Sequence, residues 1–125
     1  MLAIAVVVRN ASGDILLRKR QNDPDKGSWE IFAGYPYSDE LPLGKAVARI
    51  LREKAGITEF SDLKSTGKFY DTPDRHMGNV CVPIVFTVIA ESFTNENAQW
   101  FKRDEIEGLP MAFDNRGMIN DVLSK

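Results

Sequence analysis

The chain has 125 residues, a length that fits one domain and buries enough surface to fold without disulfide or metal staples. Its charged and hydrophobic fractions, 27% and 43%, are those of an ordinary globular protein, and a net charge of −2 provides no basic field for nucleic acid. The single cysteine, Cys81, excludes an intrachain disulfide and a cysteine-based zinc cluster, and its apolar surroundings predict a buried core thiol.

The first ten residues, MLAIAVVVRN, carry neither a basic leader nor a small-residue cleavage site, so they do not read as a signal peptide. No apolar stretch approaches the roughly 18 residues needed to span a membrane. The expectation is a cytoplasmic protein with no membrane partner. Residues 2–9 are apolar and β-branched, and residues 15–20 follow after Asn10-Ala11-Ser12-Gly13-Asp14, which predicts a hairpin. QNDPDKGS is a loop, and Trp29 to Phe32 is a short strand running into Gly34. Residues 42–55 read as a helix, with Pro42 in its first turn and Gly56 just past its end. Leu43, Ala46, Val47, Ile50, Leu51 and Ala55 form its inward stripe. Strands are predicted over 66–71, 79–90 and 99–103, and Pro83 implies an edge position or a bulge in the second. A brief turn, DEIEGLP, leads to a last helix that places Phe113, Met118, Ile119, Val122 and Leu123 on one face. Strands, helix, strands, helix is the order of a mixed sheet covered by helices.

On the helix over 42–55, Ile50 and Lys54 are four apart and stack on the apolar face, so Lys54 points at the sheet or along its edge. Arg49 is four residues before Glu53, close enough for an ion pair of a few tenths of a kcal/mol at a surface. Read from periodicity alone, Lys54 snorkels its ammonium out past the core. Arg18 and Arg20 share one face of a strand, either solvated or touching phosphate. Trp29, Phe32, Tyr35 and Tyr37 cluster around Gly34; Tyr35 or Tyr37 facing a cleft could stack on a base. His76 follows Arg75 in a predicted loop, solvated or else contacting a phosphate or ribose. Glu96, flanked by Asn95 and Asn97, is a solvated loop carboxylate, or else an additional metal ligand or a base. No serine elbow, phosphate-binding glycine loop with lysine, or cysteine–histidine pair competes.

The stretch GYPYSDELPLGKAVARILREKAGI, residues 34–57, resembles the Nudix box. That pattern is glycine, five residues, glutamate, seven residues, arginine, glutamate, an aliphatic, any residue, two glutamates, any residue, glycine and an aliphatic. Gly34 and Glu40 match its first part, and Arg49, Leu51, Glu53, Gly56 and Ile57 its second, with one extra residue between the two parts. Ile50 and Lys54 stand where the family has magnesium-binding glutamates. DILLRKR, GSWEIFAG and Glu96 with Gln99-Trp100-Phe101 resemble further family segments, so the resemblance covers most of the chain. FYDTPDRHMGN and MAFDNRGMINDVL resemble segments of the branch that acts on ADP-ribose, with Asn115 in place of the usual histidine.

The resemblance implies an α/β Nudix fold, a mixed β-sheet sandwiched between helices, over residues 1–125. It implies a hydrolase of a nucleoside diphosphate linked to another group, with Glu53, Glu40 and Arg49 in the catalytic part and Glu53 and Glu96 as metal ligands. Lys54, Arg75, Arg20, Tyr35 and Gly34 would bind a nucleotide or nucleotide-sugar, and a homodimer fits the same branch. Magnesium needs hard oxygen ligands. A lysine about 4 Å from a divalent ion is repelled by roughly 8 kcal/mol at an effective dielectric of 20, so weak or absent magnesium binding is expected. The same substitution supports an alternative, a non-catalytic nucleotide-binding module in which Lys54 holds the diphosphate as a point charge. A partner-binding scaffold that kept only the fold is the third reading.

Overall fold

Strand β1, Leu2–Arg9, is buried along nearly its whole length on both faces, which is why its sequence is a continuous apolar run rather than an alternation. The computed structural model of the chain describes residues 2–124 except 71, 77 and 78, and side chains outside 71–81. The side chains of Cys81, Arg75 and His76 therefore lie outside what is described.

The predicted hairpin forms between β1 and β2, Ile15–Lys19, with Val8 opposite Leu16. Gly13, at φ 85°, closes the turn, its N–H donating to the Asn10 carbonyl at 3.0 Å. The strand expected over Trp29 to Phe32 is two: β3, Trp29–Glu30, pairs with β2, and β4, Phe32–Gly34, pairs with β1. The chain changes partner at Ile31, whose N–H leaves the ladder and donates to Oδ1 of Asn115 at 2.7 Å.

Helix α1, Gly44–Ile50, continues into a π-helical turn, Leu51–Ala55. Its last backbone bond runs from the Gly56 N–H to the Leu51 carbonyl, and Gly56 ends the helix in the left-handed conformation at φ 67°. Ala46, Val47, Ile50, Leu51 and Ala55 are buried, and Leu43 packs against them, as the stripe predicts.

Strand β5, Ser61–Phe69, begins five residues earlier than its predicted start at 66. The segment read as a loop around His76 is strand β6, Thr72–His76, paired antiparallel with β7, Asn79–Ile89. β8, Ala98–Phe101, precedes a short helix α2, Arg103–Ile106, where only a turn was expected. Helix α3, Asn115–Leu123, buries Met118, Ile119 and Val122. Phe113 is not on that face: it precedes the helix at φ 50° and turns elsewhere.

The sheet runs β3-β2-β1-β7-β5, with β4 on β1, β8 on β2 and β6 on β7; β1 and β7 are parallel and the other pairs antiparallel. Pro83 thus lies in an interior strand, not at an edge. Its carbonyl accepts from the Tyr70 N–H at 3.1 Å where β7 passes from β5 to β6, next to a register shift in the β5–β7 pairing. Alternate residues of β1 feed two cores. Ile4, Val6 and Val8 pack with α1, and Ala5 and Val7 with α2 and α3. This is the expected sheet between helices. Among the described residues no helix is long and apolar enough to cross a membrane.

Candidate functional site

The π-helical turn and β4 meet at Gly34, and the contact fixes the floor of a cleft of about 530 Å³. A methyl group on Gly34 would stand 3.0 Å from Cγ1 of Ile50 and 3.5 Å from Nζ of Lys54. Both side chains therefore face Gly34, as their four-residue spacing requires. Ile50 is fully buried in the core, a placement that stabilises by about 1.5–3 kcal/mol. Lys54 does not snorkel outward. Its ammonium turns into the cleft and donates to the backbone carbonyl of Ala33. Burial, and after it the Arg18 charge, holds the Lys54 pKa below the usual lysine value, with Glu30 partly offsetting them.

Arg49 organises the acidic groups. Its Nε and one terminal nitrogen hold the two Glu40 oxygens at 2.7 and 3.0 Å. The other terminal nitrogen donates to Glu53 at 3.1 Å, and a further bond reaches the Tyr35 carbonyl at 2.7 Å. The expected Arg49–Glu53 ion pair thus forms, but the Arg49 side chain is only 12% exposed and its main carboxylate is Glu40, itself buried. The Arg49 hydrogen bonds, with the Tyr37 N–H, hold the Glu40 carboxyl below the ordinary carboxylate range despite burial. Of the two, only Glu53 lines the cleft.

Arg18 and Arg20 share one face, as predicted, and the reason lies across the hairpin. Glu30, buried in β3, accepts from Arg18 at 2.7 Å and from Arg20 at 2.8 Å. Sequence reading missed Glu30; an acidic residue inside the short strand WEIF, opposite two arginines two apart, was the available signal. Phe113 was also missed as a cleft residue, and Arg20 stacks over its ring at 5.1 Å. Tyr35 and Tyr37 line the cleft, and the Arg49 guanidinium lies 3.9 Å from the centre of the Tyr37 ring. Glu96 is exposed and lies outside the residues lining the cleft.

Arg18, Arg20, Arg49 and Lys54 line the cleft with Asp23, Glu30 and Glu53, and Glu40 sits behind Arg49, so the fixed cations are matched by carboxylates. Ile50 offers no oxygen, the Lys54 ammonium stands inside the cleft, and Glu40 and Glu53 are both engaged by Arg49. Among the described residues, no three His, Cys, Asp or Glu side chains group so as to hold a metal.

A mixed sheet between helices, with a glycine-ended strand lying against the helix that carries Arg49 and Glu53, defines a Nudix-type α/β domain. The NUDIX domain family model matches residues 1–122, and the chain belongs to that family. It is 30% identical over 113 residues to an ADP-ribose pyrophosphatase of Methanocaldococcus jannaschii, covering 87% of this chain and 65% of that protein. It is 33% identical over 76 residues to the low-salt glycan biosynthesis protein Agl8 of Haloferax volcanii, covering 59% of this chain and 47% of that one. The chain therefore spans between about half and two thirds of these relatives. Among solved structures, the NUDIX domain of Shewanella oneidensis NrtR, crystallised with ADP-ribose, superposes with a TM-score of 0.84 at 18% identity, covering 99% of this chain and 86% of that one. At that identity the likeness establishes the fold.

Proposed function

We propose that the cleft binds a nucleoside diphosphate linked to a second group, of the ADP-ribose class. In this reading the Lys54 ammonium holds the diphosphate in place of a divalent ion, and hydrolysis is slow or absent. The observation that carries the reading is the Lys54 ammonium inside the cleft, against the Ala33 carbonyl, at a position where the family has a glutamate. Arg18 and Arg20, held by Glu30, add fixed guanidinium groups suited to phosphate oxygens. An ammonium can neutralise a diphosphate, but it brings no coordinated water, so binding and turnover separate. Calorimetric titration with ADP-ribose tests this. We expect similar affinity with and without magnesium, and strongly magnesium-dependent binding contradicts it.

A second reading, a diphosphohydrolase, is favoured by the 30% identity to a protein named ADP-ribose pyrophosphatase and by Glu53, which remains half exposed in the cleft. Release of AMP and ribose 5-phosphate from ADP-ribose, assayed with magnesium and with manganese, discriminates the two. Turnover well above a Glu53→Gln control establishes the hydrolase.

A further inference from the structure

Tyr37 is 57% exposed, one of the most exposed large hydrophobic side chains described, yet it is held in place. Its backbone N–H donates to Oε1 of Glu40 at 2.6 Å. Its ring lies 3.9 Å from the Arg49 guanidinium, which Glu40, Glu53 and the Tyr35 carbonyl fix in turn. The ring therefore has a rigid cation against it while it borders the cleft that contains Lys54. An exposed aromatic ring gains little for the folded state. A ring already fixed in orientation loses little freedom when a flat partner stacks on it.

We infer that Tyr37 is the platform on which the base of the ligand stacks, with Arg49 as the positioning residue behind it. The inference rests on the nucleotide reading above and adds the specificity determinant to it. In this arrangement Lys54 and the arginines attract the diphosphate, and Tyr37 reads the presence of an aromatic base. Phe113, another ring bordering the cleft with an arginine beside it, is more buried and offers less surface.

The test compares ADP-ribose with inorganic pyrophosphate, a probe without a base, by calorimetry on wild type and on Tyr37→Ala, Tyr37→Phe and Phe113→Leu. Stacking on one base corresponds to about 5- to 150-fold in affinity. Tyr37→Ala is expected to weaken ADP-ribose within that range and to leave pyrophosphate within about twofold. Tyr37→Phe, which keeps the ring, is expected to bind as wild type does. The inference is overturned if Tyr37→Ala weakens both ligands equally, if it leaves ADP-ribose unchanged, or if Phe113→Leu alone removes the selectivity. Equal binding of pyrophosphate and ADP-ribose by wild type overturns the base platform and leaves the diphosphate reading standing. Binding of neither ligand overturns both.

Discussion

Lys54 is the residue at which stability and binding oppose each other. Its ammonium is partly buried, lies near Arg18, and donates to a backbone carbonyl. Both burial and Arg18 favour the neutral amine. The sign of the linkage follows. A lysine whose folded pKa is depressed costs stability at every pH below that value, and the cost fades as pH climbs towards the unfolded value near 10.5. Lys54→Met keeps an unbranched side chain, one atom shorter, and removes the charge, and water in the open cleft can replace the ammonium at the Ala33 carbonyl. The variant is expected to melt above wild type at pH 7, with the gap narrowing as pH rises towards the lysine range. Its affinity for ADP-ribose is expected to fall about tenfold or more, the scale of one charge-assisted hydrogen bond. Thermal melts across pH 6 to about 10, paired with titrations at pH 7, measure both. A lower Tm at pH 7 would show that the ammonium is a structural prop rather than a group held for a ligand.

At the scale of elements, the end of the helix that carries Glu53 and Lys54 is fixed by a loop distant in sequence. The N–H groups of Thr94 and Asn95 donate to the Ala55 carbonyl at 3.1 and 3.2 Å, and Asn95 Nδ2 donates to the Lys54 carbonyl at 2.6 Å. These bonds satisfy carbonyls that the helix end would otherwise leave without partners. Gly56 makes the approach possible, because a Cβ there would stand 1.8 Å from the Thr94 hydroxyl oxygen and 3.1 Å from its backbone nitrogen. Gly56→Ala therefore adds a clash to the roughly 1–2 kcal/mol cost of a left-handed residue with a side chain. A fall in Tm of at least about 3–8 °C is expected. Thr94→Ala in the same chain is expected to recover only part of the steric share, since its own Cβ remains 2.9 Å away. Melts of the single and double variants give the split, and a Gly56→Ala protein that melts with wild type would mean the loop does not cap this helix. Gly56 as a helix end was legible in the sequence, because a glycine just past an apolar stripe is a local signal. The loop that meets it, some forty positions later, was not.

Across the whole molecule the same division holds. The opening hairpin and the inward stripe of α1 rest on local periodicity, and both are found as read. The cleft rests on long-range pairing. Glu30 gathers Arg18 and Arg20 across a hairpin, and Phe113 leaves the helical wheel because its backbone is left-handed. Asn115 meets Ile31 from 84 positions away. This last contact joins the two ends of the chain. At Ile31 the strand leaves β2 for β1, and the N–H freed by that change is buried; Asn115 Oδ1 is its acceptor. The Nδ2 of the same side chain is buried and has no partner among the described residues. Asn115→Ala leaves the Ile31 N–H without an acceptor, a penalty of about 1–3 kcal/mol. The effect is expected to reach the cleft, because Ile31 adjoins Glu30 and Glu30 holds both arginines. Amide exchange at Ile31 is expected to accelerate, and ADP-ribose affinity to fall with it, although Asn115 does not line the cleft. Wild-type exchange at Ile31 in a folded Asn115→Ala protein would show that the strand change holds itself, and that the last helix does not support the cleft through this bond.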